Sequence, residues 1–568
     1  MLRRYGQLAA IGLTGVSLAC CGVCWQERLV GDRRAEGQAG RQSPFASPTV
    51  LAKGAPIHGA NGIRFDRDNR LHVASVLGNE IMVMDPETGE VISTIGANAG
   101  VVGPDDIAFG PDGSLYWTSF STGEVGRIAP DGTRSGLVVG LGVNGIAVSP
   151  TGRLFVSVVF MGDALYELDA ELEVPARLIA ERPGFINGMD WGPDGMLYGA
   201  VWTRGEIARI NVDTGVISAA AVGFNVPSAV KFDSSGRLCA LEQVTGDVYE
   251  VGLADGRKTL IADLAPGLDN LAFDRDDRLF VSDGQDGRVV EILGDGGTRT
   301  VSDGGMIAPG GVAVLGGVEG EDGPGGDAVM VADFWTLRRL DPLAGSETAC
   351  YRHCIGERGG ITSPFTVSAD GANLIVTSWH SKGAVQVIDP ASGRVLQEYR
   401  DVDEPINAVR FQGDVVVCER GTGSVVRLSA DQPSKRTVLA SGLGLPAGLA
   451  ATERDLWVSD WATGRVLEVV TGGRVRGRPR VLAEDLAYPE GLAVCGDGSL
   501  LVVEAEAGRL TRIDPRSGEV TTVWDGLAPC LQGDHPTWIF NGVAVGASGT
   551  IYLTSDAANA VYRIDVEE

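Results

Sequence analysis

The sequence predicts an all-β protein, two six-bladed β-propellers in tandem with four-stranded blades, and three observations lead there. One motif recurs in outline twelve times along the 568 residues. Its recurrences are 39 to 53 residues apart, the length of one propeller blade. The 81 glycines are dispersed with no three-residue period, which marks many tight turns between short apolar runs. A chain this long also exceeds what a single hydrophobic core sustains, so two domains or one repeat array are expected.

The motif is clearest at Asn144-Gly-Ile-Ala-Val-Ser-Pro-Thr-Gly-Arg-Leu-Phe-Val-Ser-Val. Taking its first residue as an anchor gives Asn61, Asp105, Asn144, Asn187, Ser228 and Asp269, then Gly310, Ser363, Asn407, Ala447, Glu490 and Asn541. Each anchor opens an inner strand A (146–148 in this repeat), followed by a Gly-containing turn, strand B (154–158), strand C (165–168) and a short outer strand D (177–180). The strands are nearly continuous in apolar residues because both faces of a blade pack on neighbouring blades; a solvated sheet would alternate.

The chain ends bear on how the rings close. The last repeat stops after strand C (561–566), a lone D-like strand, 49–53, precedes the first anchor, and a similar one, 298–302, lies at mid-chain. The expectation is that each ring borrows its last outer strand from its own beginning, which removes an open edge. The domains are then 1–44, an export signal and linker, 45–300, the first propeller, and 301–568, the second, with a single larger ring or unequal division as the alternative. Of two insertions, 316–327 reads as a solvated loop, and 528–538, with Cys530, His535 and Trp538, as a lid over the second ring.

The net charge of −27, with Arg clustered only at 474–480, argues against nucleic acid or an anionic membrane surface as partner, since either needs a basic footprint. Arg3-Arg4 and the apolar run 9–23 fit an export signal better than a spanning helix, which needs roughly 20 apolar residues. The twin-arginine route stays open. Leu18-Ala19-Cys20-Cys21 resembles a lipoprotein cleavage box with Cys21 lipidated, and a plain signal or uncleaved anchor weighs equally. The expected location is periplasmic or at the cell surface, with membrane contact only through that anchor. Cys350 and Cys354 suggest a local disulfide rather than a metal site, because one His between them leaves a fourth ligand lacking. Cys239, Cys418 and Cys495 fall in apolar strands as buried thiols.

In a propeller the anchors gather at the mouth of the central tunnel, and the B–C loops rise on that same face. Asn61, Asp105, Asn144, Asn187 and Asp269 are candidate ligands of Ca²⁺ or another divalent cation, since amide and carboxylate oxygens suit hard ions; hydrated turn residues are the alternative. The second ring lacks a ligand at half its anchors. Carboxylates ending its B strands, Asp333, Glu419, Asp460 and Glu504, read as repeated contacts to backbone N–H groups. Aromatic residues of the B–C loops, Phe120, Phe160 and Trp202 in the first ring and Trp335, Trp379 and Trp461 in the second, suit a sugar, lactone or other amphipathic small molecule, or mutual packing of the loops. His380 is the best-placed histidine for acid–base work. Phosphate-loop, serine-elbow and zinc-protease motifs are missing from the sequence.

The repeats, over 45–568, resemble the senescence marker protein/gluconolactonase family and the related NHL and streptogramin-lyase-like propellers. The residues that carry this are Asn187-Gly-Met-Asp-Trp, similar to the family's Asn-Gly-Leu-Asp-Trp, and Asn144-Gly. The resemblance implies that both asparagines hold a catalytic cation. Two family carboxylates are replaced, by Asn61 and by Ser228, so Asp105, Asp190 or Asp269 would have to supply charge. Blade two, Gly110-Pro-Asp-Gly-Ser-Leu-Tyr-Trp-Thr-Ser, resembles streptogramin lyases without their His and Glu constellation. Two readings follow. The first is an exported binding module for a small-molecule, carbohydrate-like or protein partner, with Trp202, Trp379, His380 and Trp461 as contacts. The second is a metal-dependent lactone or ester hydrolase in the first ring, with Asp105 or Asp190 activating water.

Overall fold

The structure, a computed structural model, describes residues 45–320, 323–353, 360–379, 383–528 and 540–566, with the backbone alone at 317–320 and 323–326. The segment 1–44 and the residues Cys354, His380, Cys530, His535 and Trp538 lie outside the described residues.

Twelve antiparallel sheets of four strands form two rings of six blades. In the first ring the inner strands are Ala60–Phe65, Pro104–Phe109, Val143–Val148, Ile186–Trp191, Pro227–Phe232 and Leu268–Phe273, each lying against the next and the last against the first. Val312–Gly320, Pro364–Asp370, Pro405–Phe411, Pro446–Ala451, Pro489–Val494 and Val543–Val545 close the second ring in the same way. A recurring hydroxyl, fourth in strand B, stitches blade to blade. Thr118 donates to the Asn144 carbonyl and Ser459 to that of Glu490, while Ser282 to Asn61 and Thr554 to Gly310 join the last blade of each ring to its first. Strands such as Leu71–Ser75 and Leu154–Val158 are buried throughout, whereas the outer strand Val91–Ile95 is mostly exposed. This gradient follows from a blade wedged between two neighbours and open only at its rim.

Three expectations are corrected. The first ring closes on its own strands, and Thr298–Ser302 is the fourth strand of its sixth blade. Thr49–Lys53 pairs instead with Ala560–Ile564 and completes the last blade of the second ring, so the chain starts in one propeller, builds the other, and returns. A five-residue apolar strand carries no address of its own, and the path of the linkers decides which edge it meets. The second correction is the insertion at 316–327, which extends strands A and B of blade seven as a hairpin, with Val318 opposite Gly326 and Gly320 opposite Gly323.

The third concerns register. In blade one Ile63 pairs with Val73 and Asn61 stands two residues before Ile63. The matching pairs Val367 with Val376 and Ala408 with Val417 put Phe365 and Ile406 at the tunnel position, not Ser363 and Asn407. Turn-forming polar residues marked the sequence anchors, but cross-strand pairing sets register.

The carboxylates ending the B strands hold backbone N–H groups, as expected. Asp333 accepts from Ile307 and Ala308 at 2.9 and 2.7 Å, Asp460 from Gly444 and Leu445 at 2.9 and 2.8 Å, and Glu504 from Ala487 at 2.8 Å. Glu419 receives the longer 3.3 Å bond from Asp403.

Candidate functional site

Strand pairing brings the second residue of each inner strand of the first ring to the tunnel mouth. Asn144, Asn187 and Ser228 are almost wholly buried there, while Asn61 and Asp269 keep part of their surface open. Asp269, Asn61 and Asp105 come from the contiguous blades six, one and two, and Asn144 and Asn187 from blades three and four.

On the acidic side Asn61 hydrogen-bonds Asp105. Burial holds the Asp105 carboxyl well above the usual range, and repulsion from Asp269 and Asp106 adds to it. Asp269 is pushed up to about 7, first by burial and then by Asp106 and Asp283, with Lys231 opposing. Asp106 is held in place: Oδ1 accepts from Asn270 at 3.0 Å and from the Ile107 amide at 2.9 Å, and Oδ2 from the Ile146 amide at 3.2 Å.

Deeper in the inner strands sits Lys231, 1% exposed, whose Nζ donates to the Met189 carbonyl at 2.7 Å. Burial lowers its pKa to about 8, with Arg64 acting the same way and Asp106, Asp190 and Asp269 opposing. Asp190 is occupied, accepting from the Phe232 amide at 2.8 Å and facing Arg64 at 3.6 Å. It pairs a cation from the opposite blade instead of joining Asp105 and Asp269.

The rim on blades two to four is aromatic. Phe160 meets Phe120 at 6.2 Å, Phe185 at 5.7 Å and Trp202 at 4.9 Å between ring centroids. Phe160 is 45% exposed and sits at φ +59°, a left-handed backbone that costs a non-glycine residue about 1 kcal/mol. Blades three to five carry five buried polar atoms with no hydrogen-bond partner: Asn144 Oδ1, Ser157 Oγ, Trp202 Nε1, Ser228 Oγ and Gln243 Oε1. Sequence reasoning missed Gln243, Phe185, Asp106 and Lys231. A lysine inside the apolar inner strand Pro227–Phe232 was the one signal available for the last of these.

The second mouth is apolar over blades eight to ten, while in blades eleven and twelve Glu490 accepts from the Asn541 amide side chain at 2.9 Å. Phe365, Ile406, Ala447 and Phe540 share one core cluster with Phe334 and Trp379. Trp379 is 8% exposed, packs against Phe334 at 5.4 Å, and is a core residue more than a platform. Trp461 stacks on Tyr488 at 4.1 Å, its Nε1 buried and unpartnered. Val76 and Leu77, from the first ring's opening B–C loop, join the same cluster. Trp202 packs on Phe160 of the first ring, and Trp379 and Trp461 pack on the second ring's cluster.

Among the described residues no three His, Cys, Asp or Glu side chains group as metal ligands.

No protein-family model and no curated protein matches the chain. Among solved structures it is similar to a streptogramin B lyase at 16% identity and a TM-score of 0.37, covering 51% of this chain and 95% of that one. It is also similar to a protein of unknown function from Bacteroides caccae at 13% identity and a TM-score of 0.33, covering 40% and 90%.

The buried acids make a pH prediction. The folded chain keeps the Asp269 proton that the unfolded chain releases near pH 4, so stability falls as pH rises from about 4 to about 7 and then levels. Asp269→Asn should flatten that slope and stabilise the protein by about 2 kcal/mol at about pH 8, a figure reduced because the carboxyl is partly open to solvent. Urea unfolding of both proteins across this range checks it; parallel slopes would show that Asp269 ionises freely in the fold.

Proposed function

We propose that the chain is a binding protein whose first propeller holds a small polar ligand in its tunnel mouth, against the aromatic rim of Phe160, Phe185 and Trp202. The observation that supports this most is the set of five buried, unpartnered polar atoms in the blades that carry or adjoin that rim. Leaving such atoms unsatisfied costs about 1–3 kcal/mol each, and a ligand that bonds them recovers it. Apolar ring faces with a few directed polar groups are the make-up of a small-molecule site.

Binding is favoured over lactone hydrolysis because Asp190, one of the two candidate bases, accepts from the Phe232 amide and faces Arg64. The Asn187-Gly-Met-Asp-Trp element supports kinship of this ring with gluconolactonase-like propellers.

Calorimetric titration with monosaccharides, sugar lactones and amino sugars tests the reading. Trp202→Ala should weaken the bound compound about 10-fold or more without changing the melting temperature. If no compound binds at about 10 mM, or Trp202→Ala has no effect, the reading is wrong. Turnover of a lactone, lost in Asp105→Asn, would put hydrolysis in its place.

The N-terminus supports export and lipid anchoring. Cys21→Ser should release the protein from membranes on fractionation, whereas full-length protein retaining Met1 in the cytoplasm would refute export.

A further inference from the structure

The same mouth carries a charge imbalance. Three carboxylates, Asp105, Asp106 and Asp269, act on one another there, and Lys231 is the cation set against them, because Arg64 is engaged with Asp190. With Asp190 included, the group holds four acids against two bases, and Asp283, which also acts on Asp269, is paired with Arg288 at 3.3 Å. Buried carboxylates with so little counter-charge are costly, and burial and mutual repulsion push Asp105 and Asp269 toward the protonated form. A ligand bringing positive charge would take over from those protons.

The unpartnered atoms say more. Asn144 Oδ1 and Gln243 Oε1 accept only, and Ser157 Oγ and Ser228 Oγ can accept, so a donor can satisfy four of the five. Asn144 is 5% exposed and Ser228 fully buried. Both occupy the strand position of Asp105 and Asp269, the position that faces the tunnel. The rim adds π-faces, with Phe160 and Trp202 4.9 Å apart and tilted by 45°. Aromatic faces attract cations, by about 0.5–1 kcal/mol in the open and more when water is excluded. Excess acid, empty acceptors and aromatic faces are complementary to one ligand chemistry, a cation that donates hydrogen bonds.

We propose that the first mouth recognises a protonated primary or secondary amine, such as an amino sugar or an arylalkylamine. This rests on the reading of that mouth as a ligand site and names the class of ligand. The ammonium lies toward Asp105 and Asp269, its N–H groups reach the acceptors, and its carbon body covers the aromatic rim. A neutral polyol would satisfy the acceptors but leave the excess acid unmatched. A divalent ion would match the charge but leave the aromatic rim uncovered.

The test uses two pairs of compounds that exchange ammonium for hydroxyl, glucosamine with glucose and 2-phenylethylamine with 2-phenylethanol, titrated into the full chain, with calcium chloride as a third arm. Each amine should bind at least about 10-fold more tightly than its alcohol. Asp269→Asn and Asp105→Asn should each erase that preference, while Asp303→Asn, in the linker after the sixth blade, should not. Melting curves confirm that the variants are folded. Equal binding of amine and alcohol overturns the inference and leaves the ligand site standing, whereas failure of all four compounds at about 10 mM overturns both. Tight calcium binding that displaces the amines, with affinity lost in the same two variants, would assign the acids to an inorganic ion and also overturn it.

Discussion

Deletion of residues 1–54 is expected to leave the first propeller folded and to unfasten the last blade of the second. Thr49–Lys53 supplies that blade's outer strand, pairing along Ala560–Ile564, and the Gly54 amide donates to the Asn559 carbonyl at 2.6 Å. Leu51 and Ala52 pack beside a core cluster containing Val312, Val329 and Tyr552, so the strand brings apolar burial as well as hydrogen bonds. All six blades of the first ring draw their four strands from 60–302 and lose nothing. A loss of about 3 kcal/mol, out of a typical domain stability of about 5–15, should lower the second ring's melting transition by about 6–12 °C. Hydrogen exchange should show rapid loss of protection over 560–564 and little change in the first ring. A synthetic peptide of residues 44–54 should restore protection, and the bared strand edge should promote aggregation until it does. Destabilisation of the first ring instead would contradict the crossed closure.

Arg338→Met should cost about 3–5 kcal/mol, the usual consequence of stripping a buried charge network of its cation. Arg338, 2% exposed on the third strand of blade seven, donates to Asp333 Oδ2 at 2.8 Å, to Glu347 Oε2 at 2.6 Å and to the Gly305 carbonyl at 2.8 Å. It also reaches across to Asp286 of the first ring at 2.7 Å. Removing it leaves Asp333 wholly buried without its cation while still holding the Ile307 and Ala308 amides. Asp286 keeps Arg352 as a second partner, so the damage should centre on Asp333 and the linker. Gln285 to His353 at 2.8 Å also ties the rings, and the loss should appear as separation of one melting transition into two. Arg209→Met, which breaks an exposed pair with Asp194, is the control and should cost less than about 1 kcal/mol. Similar losses for both variants would mean that the junction relaxes around the missing charge.

The twelve blades were legible because each is written locally, in apolar runs of strand length, turn residues between them, and a repeat long enough for four strands. The contacts of Asp333, Asp460 and Glu504 with nearby amides were legible for the same reason, since each accepts N–H groups lying 15 to 26 residues before it. The assignment of Thr49–Lys53 was not, because its partner lies more than 500 residues away and any unpaired edge would match its pattern. Ser363 and Asn407 misled because they are polar and turn-like, while the tunnel of the second ring is lined at those blades by Phe365 and Ile406. Asp190 reads in the sequence as an available base, but Arg64, from the opposite side of the ring, faces it at 3.6 Å. The acid excess around Asp105 and Asp269 and the unpartnered atoms of Asn144, Ser228, Trp202 and Gln243 come from blades spread around a circle, so the tertiary structure alone determines their meeting. Short-range patterning specifies which residues form strands. Ring closure decides which side chains share the tunnel, and the low dielectric there gives those neighbours their chemistry.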